Sequence, residues 1–179
     1  EDAIDYGLSG SSLRGSGVNW DIRKAEPYSG YDKYHFSVPL GKHGDVYDRY
    51  SVRIEEMRQS NSIVHQALNI LPKGDIIARI PNITLPPKED VEANMESMIQ
   101  HFKIIIEGIM PPKGEVYASI EAPKGELGFY IVSDGSSRPY RLKIRPPSFV
   151  NLEALPKMIE GRLLPDVVAT IGSLDIVLG

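Results

Sequence analysis

A chain of 179 residues with 41% hydrophobic content carries enough apolar material for the core of one domain, and its 20 basic against 24 acidic residues, net −4, lack the basic excess of a nucleic-acid binder or a polybasic membrane anchor. The absence of cysteine excludes a disulfide framework, a thiolate zinc site, a cysteine nucleophile and an iron–sulfur cluster ligated by this chain itself. No apolar run reaches the roughly 20 residues of a membrane-spanning helix, and the acidic opening from Glu1 to Asp5 is unlike a basic signal or transit peptide.

After a short helical turn ending near Tyr6, residues 7–17 read GLSGSSLRGSG, a composition that predicts a loop able to approach other backbone closely. The stretch from Trp20 to His43 predicts an irregular but ordered connector, since Tyr28, Tyr31, Tyr34 and Phe36 argue against a flexible linker. From Asp45 onward, Tyr47, Tyr50, Ile54, Met57, Val64, Leu68 and Leu71 recur at helical spacing, with a polar interruption at Asn61. This predicts a long helix with one buried stripe, N-capped by Asp45, with Glu55 and Glu56 on the wet side and a stop at Pro72 and Gly74. A second stripe, Val91, Met95, Met98, Phe102, Ile105 and Ile109, begins after Pro86 and Pro87 with Glu89 and Asp90 suited to a helix N-terminus. It predicts a second helix packed antiparallel on the first.

Val116, Ala118, Ile120 and Ala122 alternate with Glu115, Tyr117, Ser119 and Glu121, the period of two expected of a strand with one wet face. Leu127 to Ser133 and Tyr140 to Arg145 predict two more strands joined by the turn chemistry of Ser133-Asp134-Gly135-Ser136. Pro146 and Pro147 end this antiparallel meander, and two short helices, about 150–162 and 165–177, close the chain. The expected fold class is α+β, with a connector over 1–44, a helix pair over 45–110, a meander over 114–145 and C-terminal helices over 149–179.

The chemical motifs are sparse. The glycine-rich stretch lacks both the Gly-Lys-Ser/Thr ending of a phosphate loop and a strand before a GxGxxG, so it reads as a structural turn. His35, His43, His65 and His101 show neither i, i+4 pairing nor HExxH, so no metal site is expected. No GxSxG elbow is present. Around GKHGDVYDRY, the residues His43, Asp45 and Arg49, with Lys42 and Asp48, crowd a helix start. A capped terminus with salt-linked charges explains them most simply, and a functional charge cluster is the alternative. EAPKGELG by itself reads as a hairpin connection. Asp175 is a lone acid in the apolar IGSLDIVLG segment, so it either sits at an exposed helix edge or has a partner and a purpose.

Taken in order, LRGSGVNWDIRK (Leu13 to Lys24), GKHGDVYDRYSVRIEEMRQS (Gly41 to Ser60), EAPKGELG (Glu121 to Gly128), RPYRLKIRPPSF (Arg138 to Phe149) and IGSLDIVLG (Ile171 to Gly179) resemble successive signatures of one family. That family is a core subunit of the NADH-quinone oxidoreductases, respiratory complex I, the one called subunit 7 of the NADH dehydrogenase in mitochondria. The resemblance implies a fold like the large subunit of nickel-iron hydrogenases, whose EAPRG segment EAPKGELG is similar to, without the metal. It implies a place in a proton-translocating enzyme at the matrix side of the mitochondrial inner membrane or the cytoplasmic face of a bacterial one. By itself the chain would bind no cofactor. Ubiquinone would be substrate of the complex, in a cavity shared with a neighbouring subunit that holds the last iron–sulfur cluster. The GSLDIVLG segment matches the stretch lining that cavity, which makes Asp175 a candidate proton or charge relay and Val177 and Ser173 candidate wall residues.

Two departures carry expectations of their own. Ser11 and Ser12 stand where the family has Pro-Met, so the local packing should differ. The opening EDAIDYGLSG matches the middle of the family sequence, and the histidine and tyrosine that meet the quinone headgroup belong to the preceding half. A separate polypeptide or a longer product is expected to supply that half as a partner, alongside the other complex I subunits.

Overall fold

A computed structural model describes residues 1–177, so the last two residues of IGSLDIVLG lie outside the described residues. The chain forms two compact units, one built from Glu1–Leu71, Tyr117–Phe129 and Ile144 onward, the other from Pro72–Val116 and Tyr130–Lys143. Helices and a small sheet together give the α+β class expected.

In the first unit, α1 (Asp2–Asp5) leads into α2 (Gly10–Gly15), all of whose residues are buried. The glycine-rich stretch was expected as a loop, and the helix corrects that. Its glycines sit at the ends, and Gly10 opens it at φ +65°, in the left-handed region. A Cβ on Gly10 would stand 2.5 Å from the Gly125 Cα, and only a pair of glycines lets these two backbones come so close. Asn151, fully buried, fastens the same junction: its Oδ1 accepts from the Ser9 N–H at 3.2 Å and its Nδ2 donates to the Lys124 carbonyl at 3.2 Å. Burial thus overrides the weak intrinsic helix propensity of glycine and serine. The hydroxyls of Ser11 and Ser12 are buried there without a hydrogen-bond partner. Leu8, Leu13 and Ala154 form a small core beside them, flanked by Ala3, Val18 and Met158. The connector contains α3 (Ile22–Ala25), capped by the Asp21 carboxylate, and a 3₁₀ turn at Tyr31–Lys33.

Helix α4 (Val46–Asn69) starts as expected, with the Asp45 side chain accepting from the Asp48 N–H at 2.8 Å. Its buried face is not the expected one. Arg49, Val52 and Ile63 are buried, whereas Tyr47 at 72% and Leu68 at 66% exposure represent a stripe that faces outward. Helix α4 packs against α2 and against α9 (Leu164–Leu174), and it meets them with its arginine-bearing side. Glu56, placed on the wet side by the stripe, is instead 16% exposed and ion-paired. The C-terminal segment is α7 (Pro147–Glu153), α8 (Leu155–Ile159) and α9, three helices rather than two. Pro147 and Pro156 occupy first or second positions of helices, where a missing N–H is harmless. Helix α9 stops at Leu174, so Asp175 is its left-handed C-cap (φ +56°) rather than a residue inside a helix running to 177.

The second unit holds α5 (Lys88–Ala93) and α6 (Met95–Ile106), so the helix expected as the partner of α4 belongs to the other unit and is itself broken. The break is at Asn94, whose extended backbone (φ −133°, ψ 122°) leaves its side chain free to cap α6 by accepting from the Glu96 N–H at 2.9 Å. The strands β1 (Gly114–Ala122), β2 (Gly125–Ser133) and β3 (Arg141–Arg145) pair in the order β1-β2-β3, the meander read from the sequence.

Candidate functional site

A cavity of about 400 Å³ in the first unit is walled by charged side chains from several elements spread along the chain. Arg14 comes from α2, Arg23 from α3, Arg53 and Glu56 from α4, Glu121 from the end of β1, Lys124 from the β1–β2 turn, and Asp175 from the end of α9. Four of the five segments singled out above therefore supply side chains to one wall. The fifth fastens its surroundings, through Arg145 donating to the carbonyls of Glu126 at 2.8 Å and Gly7 at 2.9 Å.

At one end of the cavity Arg14, 3% exposed, is surrounded by acids. Its Nε donates to Glu56 Oε1 at 2.5 Å and its Nη1 to Glu121 Oε1 at 2.8 Å, while Asp21 Oδ2 stands 3.9 Å away. A guanidinium's rigid fork of donors suits this sharing better than an ammonium could. Asp21 is also held by Arg23 through Nη2 at 2.6 Å and Nε at 3.0 Å. Burial pushes the Asp21 carboxyl up, but the Arg23 fork and the Arg14 charge outweigh it, and Asp21 ends below the usual carboxylate range. Burial also lifts Glu121, and there Arg14, shared with two other acids, offsets only part of the rise. Glu121 therefore holds a proton more readily than an ordinary glutamate.

The other end is rich in bases. Asp175 receives a hydrogen bond from the Lys124 ammonium and has Arg53 Nε at 3.8 Å. Arg49 donates to Ser173 Oγ at 2.9 Å and to the Gly44 carbonyl at 2.9 Å, so it braces the C-terminal end of α9, where a cation is favoured by the helix dipole. Burial, and then repulsion from Arg53, lower the proton affinity of Arg49. Lys124 and Arg53 against the one Asp175 carboxylate give this end an excess of positive charge, opposite to the end around Arg14, and Arg49 stands behind it, outside the cavity lining.

Of the residues named from sequence, Asp175 lines the cavity. Its side chain is 37% exposed at a helix end and also has an ion-pair partner, so the exposed edge and the partner occur together. Ser173 is buried behind it as the acceptor for Arg49, its own hydroxyl donating to the Thr170 carbonyl at 2.8 Å. Val177 is exposed past the helix end, its N–H directed at Ser148 Oγ at 3.5 Å, and does not line the cavity. His43, Asp45 and Arg49 border a separate, wider cleft of about 810 Å³. There Asp48 accepts from the backbone N–H groups of Lys42, His43 and Gly44, which hold its carboxyl below the usual range, and the exposed His43 ring sits 3.6 Å from it. Arg49 bridges the two places. The sequence reading missed Arg14, Arg23, Arg53, Glu56, Glu121 and Lys124. The signal available was the run Arg49, Arg53, Glu56, one turn apart on one helical face. Among the described residues no group of three or more His, Asp or Glu is placed to hold a metal ion, and no helix is long and apolar enough to cross a membrane.

Over residues 1–179 the sequence matches the family described as respiratory-chain NADH dehydrogenase, 49 kDa subunit. It is 60% identical over 179 residues to a subunit of the NADH-quinone oxidoreductase of Geotalea uraniireducens, covering 100% of this chain and 46% of that protein. To the subunit of the same name in Geobacter sulfurreducens it is 59% identical, with 100% and 46% covered, and to the NADH-quinone oxidoreductase subunit 4 of Thermus thermophilus 58%, with 100% and 44% covered. The chain spans about half the length of the curated relatives it matches.

Proposed function

The chain belongs to the family of the 49 kDa subunit of respiratory-chain NADH dehydrogenase, and from that premise we infer that its charged cavity contributes one wall of the quinone-reduction site of a membrane-associated, proton-translocating NADH-quinone oxidoreductase. The carrying observation is the convergence of Arg14, Arg53, Glu121, Lys124 and Asp175 on one cavity from segments up to 161 positions apart, 175 − 14. On this reading the scaffold is part of a fold like the nickel-iron hydrogenase large subunit. The electrons come from the last iron–sulfur cluster on a neighbouring subunit, since this chain has no cysteine to ligate one.

Quinone reduction adds electrons to carbonyl oxygens and then protons. The base-rich end favours the electron-rich oxygen, with Lys124 as the hydrogen-bond donor and Asp175 as the carboxylate that holds and reorients it. Glu121, at the acid-rich end, is a site where a proton can wait. Val177 lies outside this cavity, exposed past the helix end, and on this reading offers apolar surface to the part of the quinone site that the rest of the assembly completes. The remainder of the family protein, as a preceding segment or a separate chain, completes the headgroup site, and the cluster-bearing subunit closes it.

Asp175→Asn tests the reading well, because asparagine also tolerates the left-handed backbone and only the charge is lost. In the assembled enzyme it should slow NADH-driven quinone reduction about tenfold or more, while oxidation of NADH by a soluble artificial acceptor keeps its rate. Unchanged quinone reduction refutes the role. The exposed apolar stripe of α4 favours a second reading, a module that docks in the peripheral arm without touching substrate. That module would still co-migrate with NADH dehydrogenase activity in a native gel, yet its Asp175→Asn form would reduce quinone normally.

A further inference from the structure

Arg53 holds an unusual position in the cavity wall. Its Nε is sealed from solvent and has no hydrogen-bond partner. Its neighbours on the same helix are already committed: Arg49 to Ser173 and Gly44, and Glu56 to Arg14. The carboxylate oxygen within ion-pair reach of Arg53 is Asp175 Oδ2 at 3.8 Å, beyond hydrogen-bond distance, and that same oxygen is taken by Lys124. Of the two cations facing this oxygen one is bonded and the other is held off, which leaves the Arg53 Nε a buried, unpaired donor, an unfavourable state. The two are not equally mobile. Lys124 carries its charge on a flexible stem at the edge of a cavity of about 400 Å³, while Arg53 springs from the middle of the 24-residue helix α4.

Resting on the quinone reading of this cavity, we propose that Arg53 is the exchange counter-ion of Asp175, closing on the carboxylate when Lys124 leaves it to meet an electron-rich oxygen of the bound quinone. In the resting arrangement Lys124 is neutralised by Asp175 and the Arg53 Nε is unpaired. In the engaged arrangement Lys124 donates into the cavity, the Arg53 Nε–H bonds to Asp175, and neither Asp175 nor Arg53 is left without a partner. Only hydrogen bonds are exchanged, no covalent bond is made or broken, and the charge count does not change. Arg53 is a positioning residue, and its effect passes through Asp175.

The test is a double-substitution cycle in the assembled NADH dehydrogenase carrying this chain, with Arg53→Gln, Asp175→Asn and the pair. Quinone reduction is divided by the NADH oxidation rate with a soluble acceptor, which counts assembled enzyme. Arg53→Gln is expected to lower kcat about tenfold with KM for quinone within about twofold, and the pair to fall no further than Asp175→Asn alone. Arg53→Lys, which keeps the charge, should recover most of the rate. Parental kcat in Arg53→Gln, a multiplicative loss in the pair, or a lysine form as slow as the glutamine form would each overturn the proposal. Parental quinone reduction in Asp175→Asn would sink the role of Asp175 itself, an outcome distinct from the failure of Arg53 alone. If the glutamine form does not assemble, the cycle is run with Arg53→Met, which also removes the charge, and multiplicative losses there overturn the proposal equally.

Discussion

The two compact units bury their residues in opposite ways. The first keeps Arg14, Asp21, Arg49 and Asn151 inside and leaves the apolar stripe of α4 outside, whereas no described residue of the second is buried, although α6 carries Met98, Phe102 and Ile105 on one stripe. Apolar periodicity states what a helix needs covered, and the surrounding chain decides whether it is covered. In the first unit the cover went to charges because α2, the β1–β2 turn and α9 supply them with partners. A buried charge is tolerable only when paired and hydrogen-bonded.

If that contrast is right, stability should be far more sensitive to one arginine of the first unit than to a large apolar residue of the second. Arg14→Met, which strands Glu56, Glu121 and Asp21 around an uncharged side chain, should reduce unfolding free energy by about 3–5 kcal/mol in denaturant titration. A loss under about 1 kcal/mol would break the comparison. A smaller effect sharpens it through pH. Because the folded-state pKa of Glu121 lies above its ordinary 4.5, the folded chain holds that proton more tightly than the unfolded one. Its contribution is fully present below pH 4.5 and is lost as pH rises through the folded value. Asp21, held low, does the reverse and loses its contribution as pH falls below its ordinary 3.8. Glu121→Gln should therefore remove the decline on the alkaline side of 4.5 and leave the acid limb of Asp21 in place, as read from melting temperature against pH. The smallest effect belongs to the second unit: Phe102→Ser, at a side chain 55% exposed, should change stability by less than about 1 kcal/mol, and a core-sized loss would show that α6 is covered after all.

Local chemistry was legible in the sequence where local chemistry decided the structure. The Asp45 cap and the Ser133-Asp134-Gly135-Ser136 turn follow from side chains bonding nearby backbone, as when the Asp134 carboxylate accepts from the Ser136 N–H at 2.9 Å, and the meander follows from its period of two, while α4 ends at Asn69, a few residues short of the Pro72 and Gly74 stop. Tertiary override accounts for the misses. The stretch from Gly10 to Gly15 became a helix because Gly125 and Asn151 pack on it, and neither is near it in sequence. The face of α4 was misassigned because hydropathy scores Arg49, Arg53 and Glu56 as solvent-seeking and cannot see Ser173, Asp175 and Arg14 waiting for them. The single helix expected from the Val91 to Ile109 stripe is broken at Asn94, which caps as readily as it continues. Asp175 was singled out by its isolation among apolar neighbours and by resemblance, yet nothing in the spacing pointed to Lys124, which stands 51 positions earlier.

The left-handed turn at Asp175 also restricts the alphabet of that position. A φ of +56° is comfortable for glycine, asparagine and aspartate and strained for nearly every other residue, so the backbone alone narrows twenty choices to about three. Within that trio only aspartate carries charge. Position 175 is thus a two-letter electrical setting on a fixed mechanical joint: exchanging Asp for Asn changes the voltage of the cavity and leaves the hinge of the chain where it was.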